Sequence, residues 1–280
     1  MSEIRSRDVE AGGLHLHYLE AGEGPAVLFL HGWPTSAQLW RHVLPRVGRT
    51  HRAIALDLPG FGRSEKPLDR RYTFGFFERT LEAFLDALQL DRVGLVVHDL
   101  GGPAGLYWAV QHPERVRELG ILNTLCFPEL SWAVKAFVLA THVPGLRGYL
   151  ASPAGVARGM RFGVIDKARI TPEVARLYGE PFEDRAARKA LLLAGQGLGP
   201  RGFARIAEGL SQFADIPVRL LYGEADRILP DVATTMARVA KILPQAELSS
   251  IPRCGHFLQE DRPDEVAEAL GEFFAGLRAG

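Results

Sequence analysis

The chain has 280 residues, 47% of them apolar, and its 33 Lys plus Arg are matched by 33 Asp plus Glu. That balance gives no overall basic character to draw nucleic acid or an anionic membrane, and the apolar content suits one sizeable core with an insertion better than two domains. The expected partners are a small apolar substrate and water, with neither nucleic acid nor membrane, on a monomer or homodimer.

Cys126 and Cys254 lie far apart and form no C-x-x-C pair, so both read as free thiols, and neither a disulfide framework nor a metal site is signalled. Nothing in the sequence calls for a cofactor. The start MSEIRSRDVE is charged, and no apolar run approaches bilayer length, so the default expectation is a soluble, cytoplasmic protein.

In chain order, short unalternating apolar runs recur at AVLFL (26–30), AIAL (53–56), VGLVV (93–97), LGIL (119–122) and VRLLY (218–222). Such runs predict strands covered on both faces. Between the second and third lies FFERTLEAFLDALQL, where Phe77, Leu81, Phe84, Leu85 and Leu88 make one helical stripe. Strand and helix therefore alternate, which implies a parallel α/β sheet. The alternation fails from about Phe127 to Ala214, where helix-compatible pieces such as SWAVKAFVLA are separated by Pro and Gly. A helical insertion above the sheet is expected there. The chain closes on RPDEVAEALGEFFAGL, with Pro263 and two acids placed for a first turn and an apolar face at Val266, Leu270, Phe273 and Phe274.

Four loops carry chemistry. In VVHDLGGPAG, Asp99 follows an apolar strand and precedes Gly101 and Gly102, the small neighbours that a sharp strand-to-helix elbow needs. Alone, Asp99 is equally a helix N-cap. In GEADRILP, Asp226 stands just past a strong strand, with Glu224 the rival acid inside the turn; in PRCGHFLQED, His256 sits on a loop before the last helices. Nucleophile, acid and histidine in that order, each at a strand end, is the order of an α/β-hydrolase triad. Finally, LFLHGWPTS carries a glycine-led loop beside the elbow, so the Trp33 and Leu100 backbone N–H groups are the expected oxyanion donors. Asp57, in LDLPGFGRSEKP, reads as structural.

Together HGWPTS, DLPGFGRSEKP, VVHDLGG, GEADRILP and CGHFLQED resemble the aspartate-nucleophile branch of the α/β-hydrolase superfamily, that of haloalkane dehalogenases and epoxide hydrolases. The resemblance implies a mostly parallel central sheet flanked by helices, with a helical cap inserted after the sixth strand: core residues 1–126, cap 127–214, core 215–280. It implies a covalent alkyl-enzyme ester on Asp99, hydrolysed with His256 and Asp226. Val97, two residues before the nucleophile, is similar to dehalogenases, and Asn123 matches the subgroup whose acid follows the later strand. Leu100 stands where those dehalogenases have a halide-holding Trp, which leaves Trp33, Trp132 and Tyr149 as candidate substrate contacts. For an epoxide hydrolase the candidates are the cap tyrosines Tyr149 and Tyr178. Ester or lactone hydrolysis, and a ligand receptor without turnover, are further alternatives.

Overall fold

Eight strands make one sheet in the computed structural model, which describes residues 2–276. They are β1 (Arg5–Ala11), β2 (Leu14–Ala21), β3 (Ala26–Leu30), β4 (Arg52–Leu56), β5 (Val93–Asp99), β6 (Val116–Thr124), β7 (Val218–Gly223) and β8 (Glu247–Ile251), in the order β1-β2-β4-β3-β5-β6-β7-β8. Pairings from β4 through β8 are parallel, and those of β1 with β2 and β2 with β4 are antiparallel.

The five apolar runs all lie in the parallel part, and β3 is buried at every position, as a strand covered on both faces must be. Apolar runs alone miss the leading hairpin. β1 reads RSRDVEA and is exposed along most of its length, so no apolar run marks it. The signal that does mark it is Gly12-Gly13, a two-residue turn with both φ positive, the conformation that closes a tight hairpin.

Helices cover the sheet. After the short α1 (Leu44–Val47), α2 (Phe74–Ala87) starts where the Thr73 side chain accepts from Phe76 N–H. It buries Phe77, Leu81, Phe84 and Leu85, and ends one residue before Leu88, which is the C-cap. α3 (Gly101–Gln111) follows the elbow. Six helices lie between β6 and β7: α4 (Trp132–Ala140), α5 (Leu146–Leu150), α6 (Pro153–Gly163), α7 (Pro172–Gly179), α8 (Arg185–Gln196) and α9 (Pro200–Gly209). Four of them carry Ser, Thr or Asp caps at Ser131, Ser152, Thr171 and Asp184. α10 (Val232–Ile242), α11 (Leu258–Asp261) and α12 (Pro263–Gly276) complete the chain, and α12 buries Val266, Leu270, Phe273 and Phe274.

Because β3 lies between β4 and β5, the connections after β3 and β5 leave the sheet in opposite directions. A crevice opens at the carboxyl ends of these strands. Cys126 and Cys254 are buried free thiols. Among the described residues, no helix is long and apolar enough to cross a membrane.

Candidate active site

Asp99 is the last residue of β5 and has φ +48°, a left-handed conformation that costs a non-glycine residue roughly 1 kcal/mol or more. The surroundings hold it there. Thr124 Oγ1–H donates to the Asp99 carbonyl at 2.5 Å. A Cβ on Gly32 would overlap the Asp99 side chain, and one on Gly102 would overlap Thr124, so both neighbours must be glycine. Asp99 is therefore no ordinary N-cap; its side chain does not cap α3, and Leu100 occupies that position.

The loop after β3 meets this carboxylate. Trp33 N–H donates to Asp99 Oδ1 at 2.7 Å. His31 fixes the loop from beneath, since its Nδ1–H donates to the Gly32 carbonyl at 3.0 Å while Nε2 accepts from Leu58 N–H at 3.0 Å. Burial pushes the His31 pKa down, which suits this neutral, donor-and-acceptor role. Asp57, read as structural, collects the Ala37 and Arg63 backbone N–H groups and the His17 ring at 2.6 to 2.8 Å.

On the other side of Asp99, His256 Nε2 lies 3.3 Å from Asp99 Oδ2, and His256 Nδ1 donates to Asp226 Oδ2 at 2.8 Å. Asp226 is fully engaged. Its Oδ2 also accepts from Asn123 Nδ2 at 2.7 Å, and its Oδ1 accepts from Ile228 and Leu229 N–H, both at 2.8 Å. Asn123 in turn accepts from Gly223 N–H through Oδ1 at 3.0 Å, tying the ends of β6 and β7 together. Glu224, the rival acid, turns away and accepts from Ser250 Oγ–H. The histidine loop is also clamped from above, by His256 N–H donating to the Gly163 carbonyl at 2.7 Å.

Charge couples these groups. Burial pushes the His256 ring down, but Asp226 and then Asp99 outweigh it and raise its pKa to about 10. For Asp99, burial pushes upward; the facing His256, then His98 and the Leu100 backbone N–H, bring the pKa below the ordinary carboxylate value. His98 is a participant that the sequence reading missed. Its Nε2–H donates to the His256 carbonyl at 2.9 Å, and burial first, then His256, lower its pKa to about 4, so it is neutral. Thr124 was missed as well. The only sequence signal for either was adjacency to a motif.

A cavity of about 500 Å³ opens above Asp99. Its wall is largely apolar and includes Trp33, Leu100, Pro103, Phe137, Phe257 and Leu229. Trp132 and Tyr149 also line it, and both are exposed at its rim. Two candidate contacts need correction. The Trp33 indole borders the cavity, but its Nε1–H donates to the Leu191 carbonyl at 3.2 Å, so that proton is already used by the segment above it. Tyr178 is buried outside the cavity; its hydroxyl donates to Glu260 at 2.5 Å and accepts from Arg41 at 3.2 Å, because the α11 carboxylate and the Arg41 guanidinium offer stronger partners. Among the described residues, no group of three His, Cys, Asp or Glu side chains could hold a metal ion.

A parallel sheet whose strand ends bring a carboxylate on an elbow, a histidine and a second acid into one line defines a hydrolase of the α/β-hydrolase fold. A family model described as the alpha/beta hydrolase fold matches residues 25–263, and the chain belongs to that family, in its dehalogenase-like branch. It is 31% identical over 277 residues to the haloalkane dehalogenase of Agrobacterium fabrum, covering 95% of this chain and 90% of that protein. It is also 31% identical to the cis-3-alkyl-4-alkyloxetan-2-one decarboxylase of Shewanella oneidensis, over 93% of this chain and 85% of the relative. A crystal structure of a haloalkane dehalogenase DbeA loop variant from Bradyrhizobium elkanii superposes with a TM-score of 0.87 at 26% identity, covering 99% and 98% of the two chains.

Proposed function

We propose that this hydrolase splits a carbon–halogen bond in small apolar substrates through a covalent ester on Asp99, with residues 127–214 acting as a cap that keeps the site dry. The observation that carries this reading is the placement of the Asp99 carboxylate, with Trp33 N–H on Oδ1, His256 facing Oδ2 and an apolar cavity above. Asp99 Oδ2 attacks the sp³ carbon, the carbon–halogen bond breaks, and halide leaves with the bonding pair. A carboxylate is ionised without help, so this step needs no base.

Ester formation removes the negative charge of Asp99 from beside His256, so the ring pKa falls once the ester exists. The ring gives up its proton to solvent and, now neutral, takes one from water, whose oxygen attacks the ester carbonyl. Oδ1 becomes the oxyanion while already held by Trp33 N–H, with Leu100 N–H as the second donor, each worth roughly 3 kcal/mol. Collapse releases the alcohol and restores the Asp99 carboxylate, and the proton on His256 passes to solvent.

A second reading rests on Leu100 and on the engaged Trp33 indole, which leave no indole N–H deep in the cavity for a halide. Attack of Asp99 on C4 of a strained oxetan-2-one forms the ester bond and breaks the ring C4–O bond, so the leaving group is the ring's own carboxylate, kept on the ester adduct, which dispenses with a halide site. The Shewanella relative named for such a ring supports it. Epoxide opening is less supported, since Tyr178 lies outside the cavity.

The test is intact-mass analysis of His256→Gln incubated with 1-bromobutane, a cis-dialkyl oxetanone or styrene oxide. The expected result is a stable adduct on Asp99 with the mass of the butyl ester. An adduct only with the oxetanone selects the second reading, one only with styrene oxide selects epoxide opening, and no adduct with any of the three overturns the ester mechanism.

A further inference from the structure

We infer that the rim of the cavity is a docking surface for an anionic lipid bilayer, from which apolar substrate enters. The inference concerns access, and it stands whichever bond Asp99 attacks.

Six of the eight large apolar side chains exposed on the described residues, Trp132, Leu139, Val143, Leu146, Tyr149 and Phe162, fall within one stretch of the cap helices; the other two are Leu68 and Leu248. Trp132 is 75%, Leu139 67% and Phe162 53% exposed. Exposed apolar residues scattered singly are ordinary, but this concentration is not. Four of the six, Trp132, Leu146, Tyr149 and Phe162, also line the cavity over Asp99, so they stand at its opening. The exposed apolar surface is thus continuous with the pocket wall.

Charge at the same place selects the partner. Between Leu130 and Gly163 the chain carries Lys135, Arg147, Arg158 and Arg161 and no Asp or Glu, although the whole chain is balanced. Lys135, Arg147 and Arg158 are exposed, and their side chains have neither ion pair nor hydrogen bond among the described residues. Arg227, next to Asp226 in sequence, is likewise exposed and unpaired and lines the same cavity from the core side. On α4, Trp132, Lys135 and Leu139 share one face by helical spacing; on α6, Arg158 and Phe162 do. Aromatic and aliphatic side chains interleaved with bases, with acids absent, are the composition of an interfacial surface on anionic lipid. A second copy of this chain fits less well, because it would oppose like charges.

The experiment is flotation of the full chain with vesicles of phosphatidylcholine alone or with 30% phosphatidylglycerol, at about 0.1 M and 0.5 M NaCl. Binding is expected only with phosphatidylglycerol and is lost at the higher salt. Lys135→Glu with Arg147→Glu, and separately Leu139→Asp, should each weaken partitioning about tenfold. All three positions lie off the cavity wall, so turnover of a water-dissolved substrate should hold. Acyl-brominated phosphatidylglycerol should quench fluorescence in wild type and much less in Trp132→Phe, since Trp40 and Trp108 are fully buried and Trp33 is half-buried with its indole held by the Leu191 carbonyl. No binding at 0.1 M NaCl, binding indifferent to these substitutions, or self-association in sedimentation that Leu139→Asp abolishes while vesicle binding is missing would overturn the inference.

Discussion

The strand-end site and the rim formed by α4 to α6, both bordering one cavity, follow opposite rules. At the strand ends Asp226 accepts four hydrogen bonds, Asn123 bridges β6 to β7, and Thr124 and Gly32 pin the elbow. At the rim, Trp132, Phe162, Arg158 and Arg227 are exposed, and the two arginines have no ion pair or hydrogen bond among the described residues. Bond chemistry demands fixed atoms, because a misplacement of about 1 Å can cost on the order of a hundredfold in rate. Capture of substrate demands only the right kind of surface. Residues that over-determine one another and residues left exposed to solvent thus divide the lining of one cavity.

The largest effect that sharpens this contrast is expected from Asp99→Asn, which should cut turnover by at least about 10⁴-fold in a halide-release assay read before any deamidation. Residual activity above one part in a hundred would break the assignment. Next comes Gly32→Ala, whose added methyl has no space beside Asp99; turnover should fall about 10² to 10³-fold while the protein still folds. Asn123→Ala removes a donor from buried Asp226 and an acceptor from Gly223 N–H, and should lower stability by about 2 kcal/mol in urea unfolding.

A smaller effect appears in pH dependence. The folded-state pKa of His256 is raised to about 10, so its pairing contributes stability fully present below the unfolded value near 6.5 and lost as pH rises toward 10. Wild type should therefore lose stability between pH 7 and 10, and His256→Gln should flatten that limb in urea titrations. In Asp99→Asn the ring nitrogens should titrate below pH 10 by ¹⁵N NMR, because one of the two raising charges is gone. The smallest effect belongs to the rim. Trp132→Ala or Phe162→Ala should change stability by no more than about 0.5 kcal/mol. A loss as large as that of Asn123→Ala would erase the difference between the two regions.

Legibility in the sequence follows the same divide. The five apolar runs marked β3 to β7 because burial on both faces leaves no room for polar residues, whereas β8, the parallel edge strand, reads ELSSI, is largely exposed and carries no such run. Asp99, Asp226 and His256 could be placed near the carboxyl ends of strands from sequence because each stands at or after the end of a strand and beside glycine or a turn. β1 was missed because an exposed edge strand needs no apolar run. His98 and Thr124 were missed because a side chain beneath a motif is marked only by what it touches.

Residue order alone gave the parallel strands, the positions of Asp99, Asp226 and His256 near strand ends, and the glycines at the elbow, since these follow from periodicity and backbone sterics that act over a few residues. The fold, by contrast, is what spends the Trp33 indole on Leu191 and the Tyr178 hydroxyl on Glu260. It alone raised His256 through two carboxylates distant in sequence, and gathered unpaired bases and bare apolar side chains around one opening. The reason is physical: a donor's partner, a buried group's charge state and a surface patch are set by distances across the fold, and spacing along the chain does not fix those distances.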